Sequence, residues 1–386
     1  MRKPMVWNPL FALAGLGALL IYILACTSFS PDDSKVLYGT VDAKSGLTGV
    51  AVYDRKAGTS ELLFEPFIQD LGKLGAQGAT LRPQWIENGH YFLTTWVAGS
   101  DDSDRSLNLA VLPFDRGGPA RTFRVPDLGK DASTMFMLWP MPVVGSSVFL
   151  NEESNRIIRL DLETGKMYRQ TNQTEMVLLP SPNNDRLFYL GGVNDANGPD
   201  ECGFLNSETF ARTPLFQIKE KKVSMWSLAL SRDAKRLAYQ VEDEHPPVVH
   251  LLETGQPART LSLASLGEDA EVNVRQFSPG SDILYGSFKD SAEGQKCAFG
   301  FVEIPLDGSP IRKTTLISDV QGKQKETVEA FQIDVSHDGK TLAVESLWLL
   351  TGDEIAEAKD CALFLVDLTD SERKVTKVPI PLPAKN

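Results

Sequence analysis

From about residue 29 to residue 380 the chain repeats one alternation of polar turns and apolar runs. Each copy has a turn, a short apolar run, a loop of variable length, a second apolar run, a second polar turn and a third strand-like run. The clearest copies begin FSPDDSKVLYGT at Phe29, LSRDAKRLAYQV at Leu230, FSPGSDILYGSF at Phe277 and VSHDGKTLAVES at Val335. Three more begin WIENGHYFLTTW at Trp85, PVVGSSVFLNEE at Pro142 and PSPNNDRLFYLG at Pro180. In the turns, Pro presets φ, while Asp and Gly bond to or tolerate a tight backbone. The runs that follow are short, rich in Val, Leu and Tyr, and bounded by turn residues, as buried strands are. Later in each copy, Glu163-Thr164-Gly165-Lys166 and Glu253-Thr254-Gly255-Gln256 read as hairpin turns.

A further apolar segment precedes most of the first turns, at 135–141, 176–179, 225–230, 272–277 and 331–335. That makes four strands per unit. Four-stranded sheets repeated radially are the blades of a β-propeller, because each unit can bury its apolar faces only on its neighbours. The expected fold is all-β: a seven-bladed β-propeller, with six blades as the alternative. The first copy starts so close to residue 26 that its blade is either three-stranded or borrows residues 26–30.

Ser-Pro-Asp followed by Lys-x-Leu, then a strand ending in Asp-Leu, then Thr-Gly, resembles the WD40-like repeat of TolB-type propellers. The same repeat builds the propeller domains of prolyl oligopeptidase-like proteins. The resemblance runs over 29–380. Copies two and three depart from it at the turn, with Glu87-Asn88-Gly89 and Gly145-Ser146-Ser147. Propellers of the TolB type often have six blades, which keeps six open here. The resemblance implies an assembly or scaffolding role in the periplasm. TolB itself carries a separate N-terminal α/β domain, for which this chain leaves no room.

Residues 1–26 are set apart as a signal or anchor, and 27–386 as the propeller. Arg2 and Lys3 precede an uncharged run, 10–25, which is the layout of a secretory signal. The run ends Ile23-Leu24-Ala25-Cys26, similar to the lipobox at which bacterial lipoproteins are cleaved and acylated, so Cys26 is the candidate lipidation site. An uncleaved anchor is the rival: 5–25 as a helix is about 31 Å long, enough for a hydrocarbon core of about 30 Å. Simple secretion is a third reading. All three deliver the propeller outside the cytoplasm.

Composition narrows function further. With 39 Lys and Arg against 51 Asp and Glu, the chain has a formal net charge of −12, which opposes binding to a phosphate backbone. The three cysteines after Cys26, at 202, 297 and 361, fall at equivalent places of separate repeats, too far apart for disulfides, and read as buried apolar residues. The sequence contains no Gly-x-Ser-x-Gly, no His-Glu-x-x-His, no Cys-x-x-Cys and no P-loop. No catalytic residue, metal ligand or cofactor is assigned. The acidic loops at Asp101, Asp102 and Asp104 and at Asp195, Asn197, Asp200 and Glu201 lack calcium-loop spacing.

A central channel is the best place for a ligand. Its expected lining includes Arg275 and Gln276 in the sixth copy and Gln332 and Asp334 in the seventh, either as a binding group or as ordinary solvated lining. The leading functional expectation is a non-catalytic envelope propeller, membrane-tethered at its N-terminus, that binds a protein or a glycan. The alternative is a propeller enzyme of the lactonase or glycan-processing kind with its site at the channel.

Overall fold

The computed structural model describes residues 20–22, 27–41, 48–63, 83–86, 91–98, 106–113, 121–125, 141–153, 156–171, 176–179, 186–192, 199–242, 244–267, 270–290, 297–320, 331–346, 349–351 and 363–378. These form a β-propeller: seven four-stranded antiparallel sheets and one short two-stranded pairing. Sheet 1 comprises Ser28–Phe29, Lys35–Val41, Thr48–Asp54 and Thr59–Leu62. Sheet 2 comprises Gln84–Ile86, Tyr91–Ala98, Ser106–Pro113 and Arg121–Val125. Sheet 3 runs Val143–Val144, Ser147–Glu153, Arg156–Asp161 and Met167–Thr171; sheet 4 runs Met176–Leu179, Leu187–Gly191, Glu201–Leu205 and Arg212–Gln217. Sheet 5 holds Val223–Leu230, Arg236–Val241, Val248–Glu253 and Arg259–Ser262. Sheet 6 holds Ala270–Phe277, Ile283–Asp290, Cys297–Pro305 and Arg312–Val320. Sheet 7 holds Phe331–Val335, Thr341–Ser346, Leu363–Asp367 and Val375–Val378.

Side chains alternate across a strand, so the middle strands of each sheet bury both faces on neighbours. Leu109, Val111 and Val125 of sheet 2 pack with Val148, Leu150 and Ile158 of sheet 3. Phe149 and Ile157 of sheet 3 meet Leu187 and Tyr189 of sheet 4. Phe188 and Phe216 of sheet 4 meet Leu228 and Tyr239 of sheet 5. Val249 and Leu251 of sheet 5 meet Val274 and Phe288 of sheet 6, and Phe299 and Phe301 of sheet 6 meet Val344 and Val366 of sheet 7. Sheet 7 then returns to sheet 1, with Leu363, Leu365 and Val378 packed on Phe29, Val36, Tyr38 and Tyr53. Sheets 1 and 2 are joined where the Trp85 indole N–H donates to the Ser28 carbonyl at 3.0 Å.

The first turn explains the repeat's spelling. Ser30 Oγ donates to Asp32 Oδ1 at 2.6 Å and accepts the Lys35 N–H at 3.0 Å. The same arrangement recurs at Ser231 with Asp233 and Arg236 and at Ser336 with Asp338 and Thr341, while Ser278 keeps the Ile283 N–H but takes its carboxylate from Asp282, four residues on. The fourth turn position has positive φ, filled by Gly339 in one copy but by Asp33, Ala234 and Ser281 in the others. The second turn is set by the residue that ends the third strand or directly follows it. Asp54, Asp161 and Asn206 each accept two backbone N–H groups from the following residues.

Arginines tie the rim. The first residue of the fourth strand reaches the next sheet from Arg121 to the Leu162 carbonyl (2.9 Å), from Arg259 to the Leu306 carbonyl (2.9 Å), and from Arg312 to the Ser371 carbonyl. Arg373 grips the buried Glu303 of sheet 6 through two bonds, at 2.9 and 3.0 Å. The Ala-Arg-Thr spelling at 120–122, 211–213 and 258–260 is the sequence trace of this device, although in sheet 4 Arg212 turns to Glu201 of its own sheet.

Because each sheet is a meander, its connections alternate between the two ends of the strands. The tight Ser-Asp and Asp turns lie on one face. The long connections between second and third strands, and those between sheets, lie on the other.

Three expectations change in detail. The first inner strand is the two-residue Ser28–Phe29, paired with Leu37 and Val36. The inner strand of sheet 3 is Val143–Val144 rather than 135–141, because Gly145, at φ 59°, turns the chain directly into Ser147. At the N-terminus, Leu20–Tyr22 is a strand paired with Leu349–Thr351 rather than part of a helix; extended, it meets the hydrogen-bonding groups of another apolar strand edge. The rest of 1–26 lies outside the described residues. No helix among the described residues is long and apolar enough to cross a membrane.

Ser231 and Ser336 are fully buried. Ser231→Ala and Ser336→Ala should each cost about 1–3 kcal/mol, since each strands a backbone N–H without its acceptor. Urea denaturation should show a lowered midpoint at unchanged slope. A midpoint equal to wild type would discard this account of the turn.

Candidate functional site

The inner strands line the ring's axis, and their polar side chains mostly reach sideways. Gln84 Nε2 donates to the Met141 carbonyl (3.0 Å). In sheet 5, Ser227 donates to Gln240, and both accept the Val274 N–H of sheet 6. Gln276 of sheet 6 uses both ends of its amide on sheet 7, with Nε2 donating to Asp334 Oδ1 at 3.3 Å and Oε1 accepting the Val335 N–H at 3.2 Å. The other oxygen of Asp334 accepts the Phe29 N–H of sheet 1 at 3.0 Å. Two of the expected channel residues therefore do meet, as a staple running from sheet 6 through sheet 7 to sheet 1. Burial raises the Asp334 carboxyl above its ordinary range against the pull of these bonds.

Arg275 is the extra residue of a β-bulge, between Val274 opposite Gly286 and Gln276 opposite Tyr285. Desolvation pushes its guanidinium down to about 10. Gln332 is half-buried and sits in register with Glu345. Cys26 lies outside the described residues. Cys202 is fully buried, and desolvation pushes its thiol up to about 12.

The seam between sheets 7 and 1 concentrates charge. Asp33 accepts the backbone N–H groups of His337 (2.8 Å) and Asp338 (2.9 Å), and His337 Nδ1 lies 2.8 Å from the same carboxylate. Arg55 bridges the Asp33 carbonyl and the Thr341 hydroxyl. Deeper in, Glu345 is 4% exposed, and its Oε2 has no hydrogen-bond partner among the described residues. Burial raises it well above the carboxylate range, opposed only by a backbone bond from Gly39.

The sequence reading missed a second group, on the long-connection face of sheet 5. His250 lies between two carboxylates, with Nε2 at 2.8 Å from Glu244 and Nδ1 at 3.8 Å from Glu220. Its ring stacks on Tyr239 at 5.2 Å, and the Tyr239 hydroxyl donates to Glu220. Burial opposes ionisation of Glu220, yet the bond from Tyr239 leads the interactions that hold its carboxyl below the usual range. The signal was legible as a tyrosine recurring four places after the first turn. Its counterparts Tyr189 and Tyr38 bond to Glu201 (2.9 Å) and Ser60 (2.8 Å). Among the described residues, no three or more His, Cys, Asp or Glu side chains are grouped to hold a metal ion.

A carboxyl whose pKa is raised on folding contributes stability that is complete below the unfolded value and lost as pH rises through the folded value. Glu345→Gln should therefore gain on wild type as pH increases. Its melting temperature should exceed that of wild type at pH 8, and the gap should shrink towards pH 4.5, as thermal unfolding across that range would read. A gap independent of pH would mean that Glu345 is not a buried ionisable group.

No family model matches the sequence, and no curated protein matches it. Solved structures do resemble it in fold. One from a study of two prolyl endopeptidases is 12% identical with TM-score 0.50, covering 83% of this chain and 46% of that one, so this chain spans under half of that protein's length. TolB from Acinetobacter baumannii is 10% identical with TM-score 0.37, covering 81% and 71%. The β-propeller domain of Myceliophteria thermophila Cps50 (Swd1) is 10% identical with TM-score 0.47, covering 84% and 95%. At such identities the common property is the fold alone, and the fold of this chain is a β-propeller.

Proposed function

We propose that this chain is a non-catalytic binding module of the cell envelope: one closed ring of seven blades, tethered to the membrane by its N-terminus, that presents a face to an envelope protein or a glycan. The observation that carries this reading is how the inner strands use their polar groups. Gln276 and Asp334 both bond across sheet boundaries, so they hold the ring together instead of converging on a reacting atom. Arg275 and Gln332 are the inner-strand positions proposed to read a ligand in the channel. The long connections gathered on one face suit recognition, since loops on a rigid scaffold vary at little cost to the fold. The acidic charge disfavours nucleic acid as the partner.

Cys26 is the proposed point of lipidation, the alternative tether being an uncleaved segment ahead of it. Growth with an alkyne fatty acid, followed by fluorophore coupling, tests this directly. Wild type should carry the label. Cys26→Ser should carry none and should leave the membrane fraction if lipid is the tether. An unlabelled wild type ends the lipoprotein reading, and an unlabelled Cys26→Ser chain that stays with membranes favours the uncleaved anchor.

A further inference from the structure

We propose that Glu345, Gln332 and Thr27 form a subsite at the seam of sheets 7 and 1 that takes a primary ammonium group, delivered by a lysine side chain of a partner protein. This rests on the channel reading above and names the group that the channel takes.

Strand direction brings the three residues to one level. Ser28–Phe29 runs straight into the tight turn at 30–34, as Phe331–Val335 runs into the turn at 336–340. Both inner strands therefore run the same way, and Thr27 lies at the long-connection end of its own. The bond from the Phe29 N–H to Asp334 sets their relative height. Thr27 and Gln332 each lie two residues before that bond, about 7 Å nearer the long-connection mouth. Residues two apart on an extended chain share a face. Thr27 thus joins Phe29 in facing sheet 7, and Gln332 joins Asp334 in facing sheet 1. Gln332 stands directly opposite Glu345, a spacing of about 5 Å between Cβ atoms. From the other side the Gly39 N–H, on the strand that pairs with Ser28–Phe29, reaches the Glu345 carboxyl.

Two polar atoms here are buried and have no hydrogen-bond partner among the described residues, Glu345 Oε2 and Thr27 Oγ1. Among the described residues, no Lys, Arg or His pairs with Glu345. The phenol beside it, Tyr38, bonds to Ser60, and Asp334 is taken up by Phe29 and Gln276. A carboxylate buried without a cation is costly, and a cation from outside offsets that cost. An ammonium has three N–H donors and no acceptor. Glu345 Oε2, Thr27 Oγ1 and the Gln332 amide oxygen offer it three acceptors on three neighbouring segments. A planar guanidinium brings five donors, more than this set can satisfy. Glu345 sits one strand back from the channel, so a slim stem must carry the charge to it. Lysine has such a four-carbon stem, whose methylenes lie comfortably along apolar walls. An amino sugar bears its ammonium directly on a ring. The formal charge of −12 favours encounter with a basic partner.

The test uses the full chain in detergent micelles and reads the affinity of small probes by saturation-transfer NMR. Nα-acetyl-lysine methylamide should bind. Its Nε-acetylated counterpart, with the same stem and no charge, should bind about tenfold or more weakly. Glu345→Gln should weaken the lysine probe by about tenfold or more while melting no lower than wild type. Thr27→Val should weaken it several-fold, an independent check that leaves the carboxyl in place. Glu208→Gln, on an exposed turn, should leave it unchanged. Absence of binding by the lysine probe, equal binding of its acetylated counterpart, or an affinity unmoved by Glu345→Gln overturns the subsite. Methyl glucosaminide binding more tightly than the lysine probe overturns lysine as the source of the ammonium. If the subsite falls while a neutral oligosaccharide still binds and is lost with Gln332→Ala, the channel reading stands without it.

Discussion

Everything in this molecule depends on one sheet's apolar side chains being covered by the next sheet's. A four-stranded sheet with apolar residues on both faces has no stable free state in water, and burying each Leu, Val or Phe yields about 1.5–3 kcal/mol. A ring is the arrangement that leaves no such face uncovered. Among the described residues, each sheet is made from four strands of one stretch of chain, and no strand is exchanged between the first sheet and the last. Closure therefore relies on side chains: the cluster of Phe29, Tyr38 and Tyr53 with Leu363, Leu365 and Val378, and the polar contacts around it.

That closure explains where the buried charge lies. Asp334, Asp33 and Glu345 all act at the boundary between sheets 7 and 1. Asp334 and Asp33 are well supplied with donors. Glu345 is not, and a buried carboxyl with a partner on only one side is costly when ionised. Elsewhere the rim is tied by arginines donating to carbonyls of the following sheet, which adds direction to packing that is itself non-directional. The ring is thus held by apolar faces within, amide and carboxylate staples at the inner strands, and guanidinium staples at the outer ones. Residues that looked available to a ligand are, at Gln276 and Asp334, already in use by the fold.

The blade was legible along the chain because its causes are local. Ser-x-Asp binds its own backbone, Asp at the end of the third strand closes its own turn, and strand alternation needs only neighbours in sequence. These set the positions of nearly all the strands, including Met176–Leu179 and Phe331–Val335 at the bounds expected. Where local signals were weak, boundaries moved, as at Val143–Val144, where a two-residue strand carries too little pattern to register.

The candidate site was legible only as a list of polar residues on inner strands. That Gln276 meets Asp334 and that Asp334 meets Phe29, 305 residues earlier in the chain, follows from ring closure and from no local pattern. The grouping of Glu220, Glu244, Tyr239 and His250 likewise joins two strands, a loop and an inter-sheet link that come together only in the folded blade. By itself the sequence determined the strands, the turns and the repeated unit, since hydrogen bonds and side-chain period over a few residues decide them. The tertiary structure decided which polar groups are consumed, which are stranded and which face the N-terminus leaves from, because those depend on contacts made across the whole ring.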